Sequence, residues 1–101
     1  MSITAKHLEN EKKVVIDVQG RFDFSLHADF RKAYKDCMAA GTSFQIDLGG
    51  AKYMDSSALG MILLLKEHAE KLGGKVEILR PNDAVKKILD IAKFDRLVNI
   101  G

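Results

Sequence analysis

The sequence has one cysteine, Cys37, among 101 residues. No disulfide can form within the chain, which suits a reducing compartment. Cys37 falls among the apolar positions of an expected helix, so it reads as a buried thiol rather than a reactive one. Long apolar runs are missing too. The longest, Met61 to Leu65, is far short of the roughly 20 residues needed to span a bilayer. The segment Met1 to Asn10 alternates polar and apolar residues, without the basic start and apolar core of a signal peptide. A cytoplasmic protein with no direct membrane insertion is expected. Charge of one sign is equally scarce. The formal net charge is +2, and Lys12-Lys13 and Lys86-Lys87 are short pairs beside acids. Direct nucleic-acid binding needs a clustered basic face, which this is not. His7, His27 and His68 have no metal-ligand spacing. Gly49-Gly50 lacks the Lys-Ser/Thr partner of a nucleotide-binding phosphate loop. No metal and no cofactor are expected.

What is present is the balance of a soluble globular protein, with 47% hydrophobic and 30% charged residues. The length fits a single domain, 1–101. Ile3 to Leu8 reads as a first strand, with Asn10-Glu11 as its turn. Val14 to Val18 is β-branched and nearly all apolar, the pattern of a strand that is central or covered on both sides. Gly20 is expected to end it. Leu26, Phe30, Ala33, Tyr34, Cys37 and Met38 fall at helical spacing, with Ser25 as the expected cap and Gly41 as the stop. Phe44 to Leu48 is a further buried strand, broken by Gly49-Gly50. A helix is expected from about Ser56 to Leu72, with Met61, Ile62, Leu65, Ala69 and Leu72 on its apolar face. Gly73-Gly74 stops it, and Val76 to Leu79 resumes a strand. Pro81-Asn82-Asp83 opens a last helix striped by Val85, Ile88, Leu89 and Ala92. Phe94, Leu97, Val98 and Ile100 close the chain as a short helix or edge strand.

Strands alternating with helices imply α/β architecture with parallel pairing through right-handed crossovers. The tight turn after the first strand makes that strand antiparallel. The expected fold is therefore a mixed sheet of four to five strands, its first strand antiparallel and the rest parallel, packed with helices. Ligand crevices in such sheets form beyond the carboxyl ends of the parallel strands. The segments there are Gly20 to Ser25, Gly49 to Ser57 and Arg80 to Asp83.

The chemistry concentrates in Tyr53-Met54-Asp55-Ser56-Ser57-Ala58-Leu59-Gly60, which leaves a strand, turns and enters a helix. Asp55 or Ser56 caps that helix. The neighbouring hydroxyls then lie at the positive end of the helix dipole, a favourable place for a phosphate carrying about −1.5 to −2 charges. Ordinary capping explains the same residues, and spacing alone does not separate the two. A serine nucleophile is the other chemical possibility. The turn is not Gly-x-Ser-x-Gly, and an ionised Asp55 cannot supply an oxyanion donor. His68 lies about 18 Å from Ser56 by helix rise, too far to be its base. His27 could approach from the Gly20 to Ser25 loop. No enzyme activity is expected. Phe22, Phe24 and Leu26 put three apolar residues around Asp23, either folded onto the core or offered as a partner contact.

The stretch Asp55 to Gly60 closely resembles the Asp-Ser-Ser-Gly-Leu-Gly signature of STAS domains, in particular the bacterial anti-sigma factor antagonists. Gly20-Arg21-Phe22-Asp23 looks like that family's Gly-x-Leu-Asp loop. Asp47-Leu48 followed by Met54-Asp55 is similar to its strand and switch approach. Val85 to Leu97 resembles its closing helix and tail. The resemblance spans essentially the whole chain. It implies that the unphosphorylated protein binds an anti-sigma factor that is also a serine kinase. Phosphorylation at Ser56 then breaks the complex, and a PP2C-type serine phosphatase resets it. Asp23 and Asp55 would flank the acceptor, with Ser57, Ala58, Leu59, Phe22 and Phe24 beside it in the partner-binding region. Ala58 stands where the family usually has Gly, a hint of a divergent partner. The alternative within the family is a STAS subunit of a membrane lipid-transport ABC complex, gripping its ATPase without a phosphate switch.

Overall fold

The computed structural model describes residues 2–101. Strand β1 (Ile3–Leu8) turns through a 3-10 segment, Glu9–Glu11, into β2 (Lys13–Phe22). A second 3-10 turn, Phe24–Leu26, leads into α1 (His27–Lys32) and on to β3 (Ser43–Met54). Helix α2 (Ser56–Leu72), strand β4 (Val76–Leu79), helix α3 (Asp83–Ile91), a 3-10 turn (Phe94–Arg96) and a short strand β5 (Asn99–Ile100) follow. The sheet runs in sequence order, β1-β2-β3-β4-β5. β1 pairs antiparallel with β2, and all later pairs are parallel. No helix among the described residues is long and apolar enough to cross a membrane.

Because the parallel strands are laid down steadily in one direction, right-handed crossovers put all three helices on the same face. Burial agrees. Ile16, Ile46 and Ile78 form one row across the sheet, each fully buried. Their sequence neighbours Val15, Asp17, Gln45, Glu77 and Leu79, on the other face, are half-buried. The apolar run of β2 is thus central in the sheet but covered on one side only, which corrects the two-sided alternative. Phe22, Phe30, Tyr34 and Phe44 continue the core as a chain of ring contacts with centroids 5.2 to 6.3 Å apart.

Glycines placed as strand breakers do not break strands here. β2 runs through Gly20, which takes a positive φ of +77° at a register shift. β3 runs through Gly49-Gly50 to Met54, so the two longest strands stay paired to their ends. Helix α1 is shorter than its periodicity suggests. Regular helix ends at Lys32 and looser turns carry the chain on to Cys37, which is half-buried, while Met38 is exposed. Leu97 is also exposed, so Phe94 and Val98 hold the tail. His68 ties α2 to the turn before β3, its Nε2 donating to the Cys37 carbonyl at 2.7 Å.

On the open face, Asp47 is buried under Arg80, which folds back from a positive-φ position just after β4. Asp47 Oδ1 also accepts from the Gly49 N–H at 2.9 Å. The Arg80 hydrogen bond first, then that of Gly49, holds the Asp47 carboxyl below its ordinary value near 3.8. A depressed folded-state value means stabilisation that is present above the unfolded value and lost as pH falls through the folded one. Asp47→Asn should cost about 1 kcal/mol at pH 7. It should also flatten the fall in urea midpoint below about pH 4 relative to the native protein; parallel pH profiles for the two would contradict this account.

Candidate functional site

β2 and β3 end on the same rung, with Phe22 opposite Met54, both side chains buried. The Asp55 N–H donates to the Phe22 carbonyl at 3.3 Å. Two acids, Asp23 after β2 and Asp55 after β3, therefore leave the sheet side by side. Each caps the turn that follows it. Asp23 accepts from both the N–H and the hydroxyl of Ser25. The Ser25 hydroxyl first, then its N–H, with Arg21 adding, holds the Asp23 carboxyl below its ordinary value. Asp23 rather than Ser25 is thus the cap at the start of the α1 region.

Asp55 caps α2 through the Ala58 N–H at 3.2 Å, and the same oxygen accepts from the Ser57 hydroxyl at 2.6 Å. Ser57 is half-buried and occupied. Ser56, one residue earlier, is exposed, and among the described residues its hydroxyl has no such partner.

The apolar residues of the region divide by depth. Phe22 and Ala58 are fully buried, so they brace the site from within the core and offer no surface; the expectation that they contact a partner is corrected. The Ala58 methyl lies in the core, so it does not crowd the outer face. Leu59 and Leu26 are half-buried. Phe24 is 62% exposed and stacks on His27, ring centroids 4.3 Å apart, while His27 Nδ1 donates to the Phe24 carbonyl at 3.0 Å. On the other side of Asp23, the Arg21 guanidinium lies over the exposed Tyr53 ring, 4.5 Å from its centroid. Arg21, Tyr53 and the stacking of His27 were not singled out from the sequence. The spacing of Arg21 and Tyr53 before the two acids was a usable signal only once the strand register was known.

A family model described as "Mlab, STAS domain" matches residues 7–99. The chain belongs to the STAS domain family. This STAS domain is 41% identical over the full length of both chains to a STAS-domain containing protein of Pseudomonas aeruginosa. It is 22% identical to the anti-sigma-B factor antagonist of Bacillus subtilis, over all of this chain and 93% of that one. Among solved structures it superposes on the unphosphorylated anti-sigma factor antagonist SpoIIAA with a TM-score of 0.83 at 20% identity, covering 98% of this chain and 87% of that one. The mixed sheet, its first strand antiparallel, is the STAS fold expected from the sequence. Among the described residues of the domain, no group of three or more His, Cys, Asp or Glu side chains could hold a metal ion.

Proposed function

We propose that this STAS domain is an anti-sigma factor antagonist switched by phosphorylation of Ser56. The observation that carries the proposal is the unequal standing of the two serines. Ser57 is held by Asp55, whereas the Ser56 hydroxyl is exposed and free at the start of α2. Full-length likeness to an anti-sigma-B factor antagonist supports the same role.

In this account residues 1–101 act as one non-enzymatic domain in the cytoplasm. The unphosphorylated surface binds a partner that is both anti-sigma factor and serine kinase. That kinase transfers the terminal phosphoryl group of ATP to Ser56 Oγ, the hydroxyl proton leaving with ADP, and the complex separates. A PP2C-type phosphatase restores the hydroxyl by hydrolysis. Asp23 and Asp55 hold the two loops in place and set a negative field around the acceptor. Phe24 and Leu59 supply apolar contact.

Two measurements test the proposal. Intact-mass analysis of the protein from its own cells should find a phosphoryl group that maps to Ser56 in at least one growth state; its absence throughout would end the proposal. Pull-downs should recover a kinase-fold anti-sigma factor with Ser56→Ala bait and not with Ser56→Asp bait. Recovery of a transporter ATPase by both baits would instead establish the lipid-transport subunit.

Phe24 gives a separate expectation. Its exposure means that Phe24→Ala should change stability by no more than about 0.5 kcal/mol while weakening partner binding at least about tenfold, as loss of a buried interface aromatic does. A large drop in melting temperature would return Phe24 to a packing role.

A further inference from the structure

Arg21 is placed near the switch without being committed there. Its Nε stands 3.6 Å from Asp23 Oδ2, well beyond the roughly 2.7–2.9 Å of a strong charge-assisted hydrogen bond. Asp23 is already supplied by Ser25. The Arg21 side chain is 71% exposed and rests on Tyr53. Arg21 pairs with Tyr53 across the parallel ladder, Phe22 with Met54 on the next rung, and Asp55 bonds back to Phe22. Tyr53 and Ser56 are three residues apart in sequence, at most about 10 Å of extended chain. A long, flexible cationic side chain therefore rests on Tyr53, three residues before the serine whose hydroxyl is exposed.

A phosphoserine at this position brings about −1.5 to −2 charges next to the carboxylates of Asp23 and Asp55. Within the cluster of Arg21, Asp23, Tyr53, Asp55 and Ser56, Arg21 is the cation. Its planar fork matches phosphate oxygens in a bidentate manner that its long contact with Asp23 does not reach. We infer that Arg21 is the internal counter-ion of phosphorylated Ser56, its guanidinium leaving Asp23 and Tyr53 to close on the phosphate. The inference rests on the phospho-switch, since the clamp operates in the cell only where Ser56 is phosphorylated. It adds a second change to the switched state. Besides the new dianion, the surface between Tyr53 and Asp23 loses its covering cation.

The test needs neither kinase nor partner. Phosphoserine is built in at position 56 during synthesis, and the phosphate is titrated by phosphorus NMR. With Arg21 present, the second phosphate pKa should be about one unit lower than in Arg21→Gln, the effect of an opposite charge at close range. Lys52→Gln, which removes a charge from the neighbouring strand, should leave the titration in place. Arg21→Lys should fall between. Equal titration of the native and Arg21→Gln phosphoproteins, or equal shifts for Arg21→Gln and Lys52→Gln, would overturn the clamp. Should Arg21→Gln disturb the fold, the Arg21 Nε–H resonance of the unaltered chain decides. A downfield, slowly exchanging signal on phosphorylation supports the clamp, and an unmoved signal overturns it. Because the phosphate is installed, this outcome is independent of whether cells phosphorylate Ser56, so failure of the clamp and failure of the switch are told apart.

Discussion

Gly74→Ala should be among the most damaging single substitutions in this chain, lowering stability by about 3 kcal/mol or more. The reason lies in how α2 ends. Gly73 adopts a positive φ of +80°, its N–H donating to the Glu70 carbonyl, and the Gly74 N–H donates to the Ala69 carbonyl at 2.9 Å. This paired closure uses up carbonyls that the helix end would leave unsatisfied. It also lays Gly74 directly against the backbone entering β3. A methyl group at Gly74 would overlap the Thr42 carbonyl oxygen and carbon, deep inside contact distance. Backbone held next to a sheet strand cannot rotate away as a side chain can, so either the helix end or the approach to β3 must move. For a chain of this size the cost corresponds to a fall of roughly 15 °C in melting temperature. Thermal or urea unfolding of Gly74→Ala checks it. A loss below about 1 kcal/mol would mean that the junction yields more easily than its geometry implies. Gly60 is the internal contrast. An added methyl there meets nothing within 4 Å, so Gly60→Ala should stabilise α2 by up to about 1 kcal/mol.

Ser56→Asp is expected to abolish partner binding without unfolding the domain. A carboxylate at the start of α2 faces the positive end of the helix dipole, which favours it by about 0.3–1 kcal/mol. The melting temperature should therefore hold or rise slightly. In the complex the same charge must be desolvated beside Asp55, and a buried unpaired charge costs several kcal/mol. Turning a complex from 99% to 1% formed requires about 5.5 kcal/mol, a 10⁴-fold loss of affinity. The phosphate dianion reaches that range without any refolding. The single charge of Asp should give at least a hundredfold, about 2.7 kcal/mol. Ser56→Ala should bind as the unmodified protein does, because that hydroxyl holds nothing in place. Calorimetric titration with the partner, run beside a melting curve, separates loss of contact from loss of fold. Undiminished binding of Ser56→Asp would exclude direct repulsion as the basis of release.

Much of this was legible in the sequence, and the failures have physical causes. Helix α2 and strand β4 were readable because apolar spacing, an Asp cap and a Gly-Gly stop all agree. The opening of α3 at Pro81-Asn82-Asp83 was equally plain, and in the structure Asn82 caps it, accepting from the Val85 N–H at 2.9 Å. β2 and β3 were underestimated because Gly20 and Gly49-Gly50 look like terminators. In the ladder, one absorbs a register shift, and the other lets the Gln19 side chain lie across Gly50. The extent of α1 was overestimated because Tyr34 and Cys37 keep a helical period while the backbone has already turned. In the site, Asp55 and the serine pair stood out at the turn from strand to helix, whereas Asp23 entered only through the resemblance to the STAS signature. The inward turn of Phe22 and the outward turn of Phe24 could not, since they depend on where the strand ends and the 3-10 turn begins. Arg21 and Tyr53 stayed hidden for a related reason: they lie 32 positions apart and meet only through pairing of the two longest strands.

The common rung on which β2 and β3 finish also limits how this chain can change in length. One residue gained or lost between Gly20 and Phe22, or between Gly49 and Met54, would displace one loop against the other by about 3.3 Å. It would also flip every later side chain to the opposite face, sending Phe22 or Met54 into water. Insertions and deletions are therefore barred from the stretches leading up to the two acids. The exposed bend at Met38 to Ala40 lies at the other end of β3, so a change of length there would leave the rung and its two acids in place.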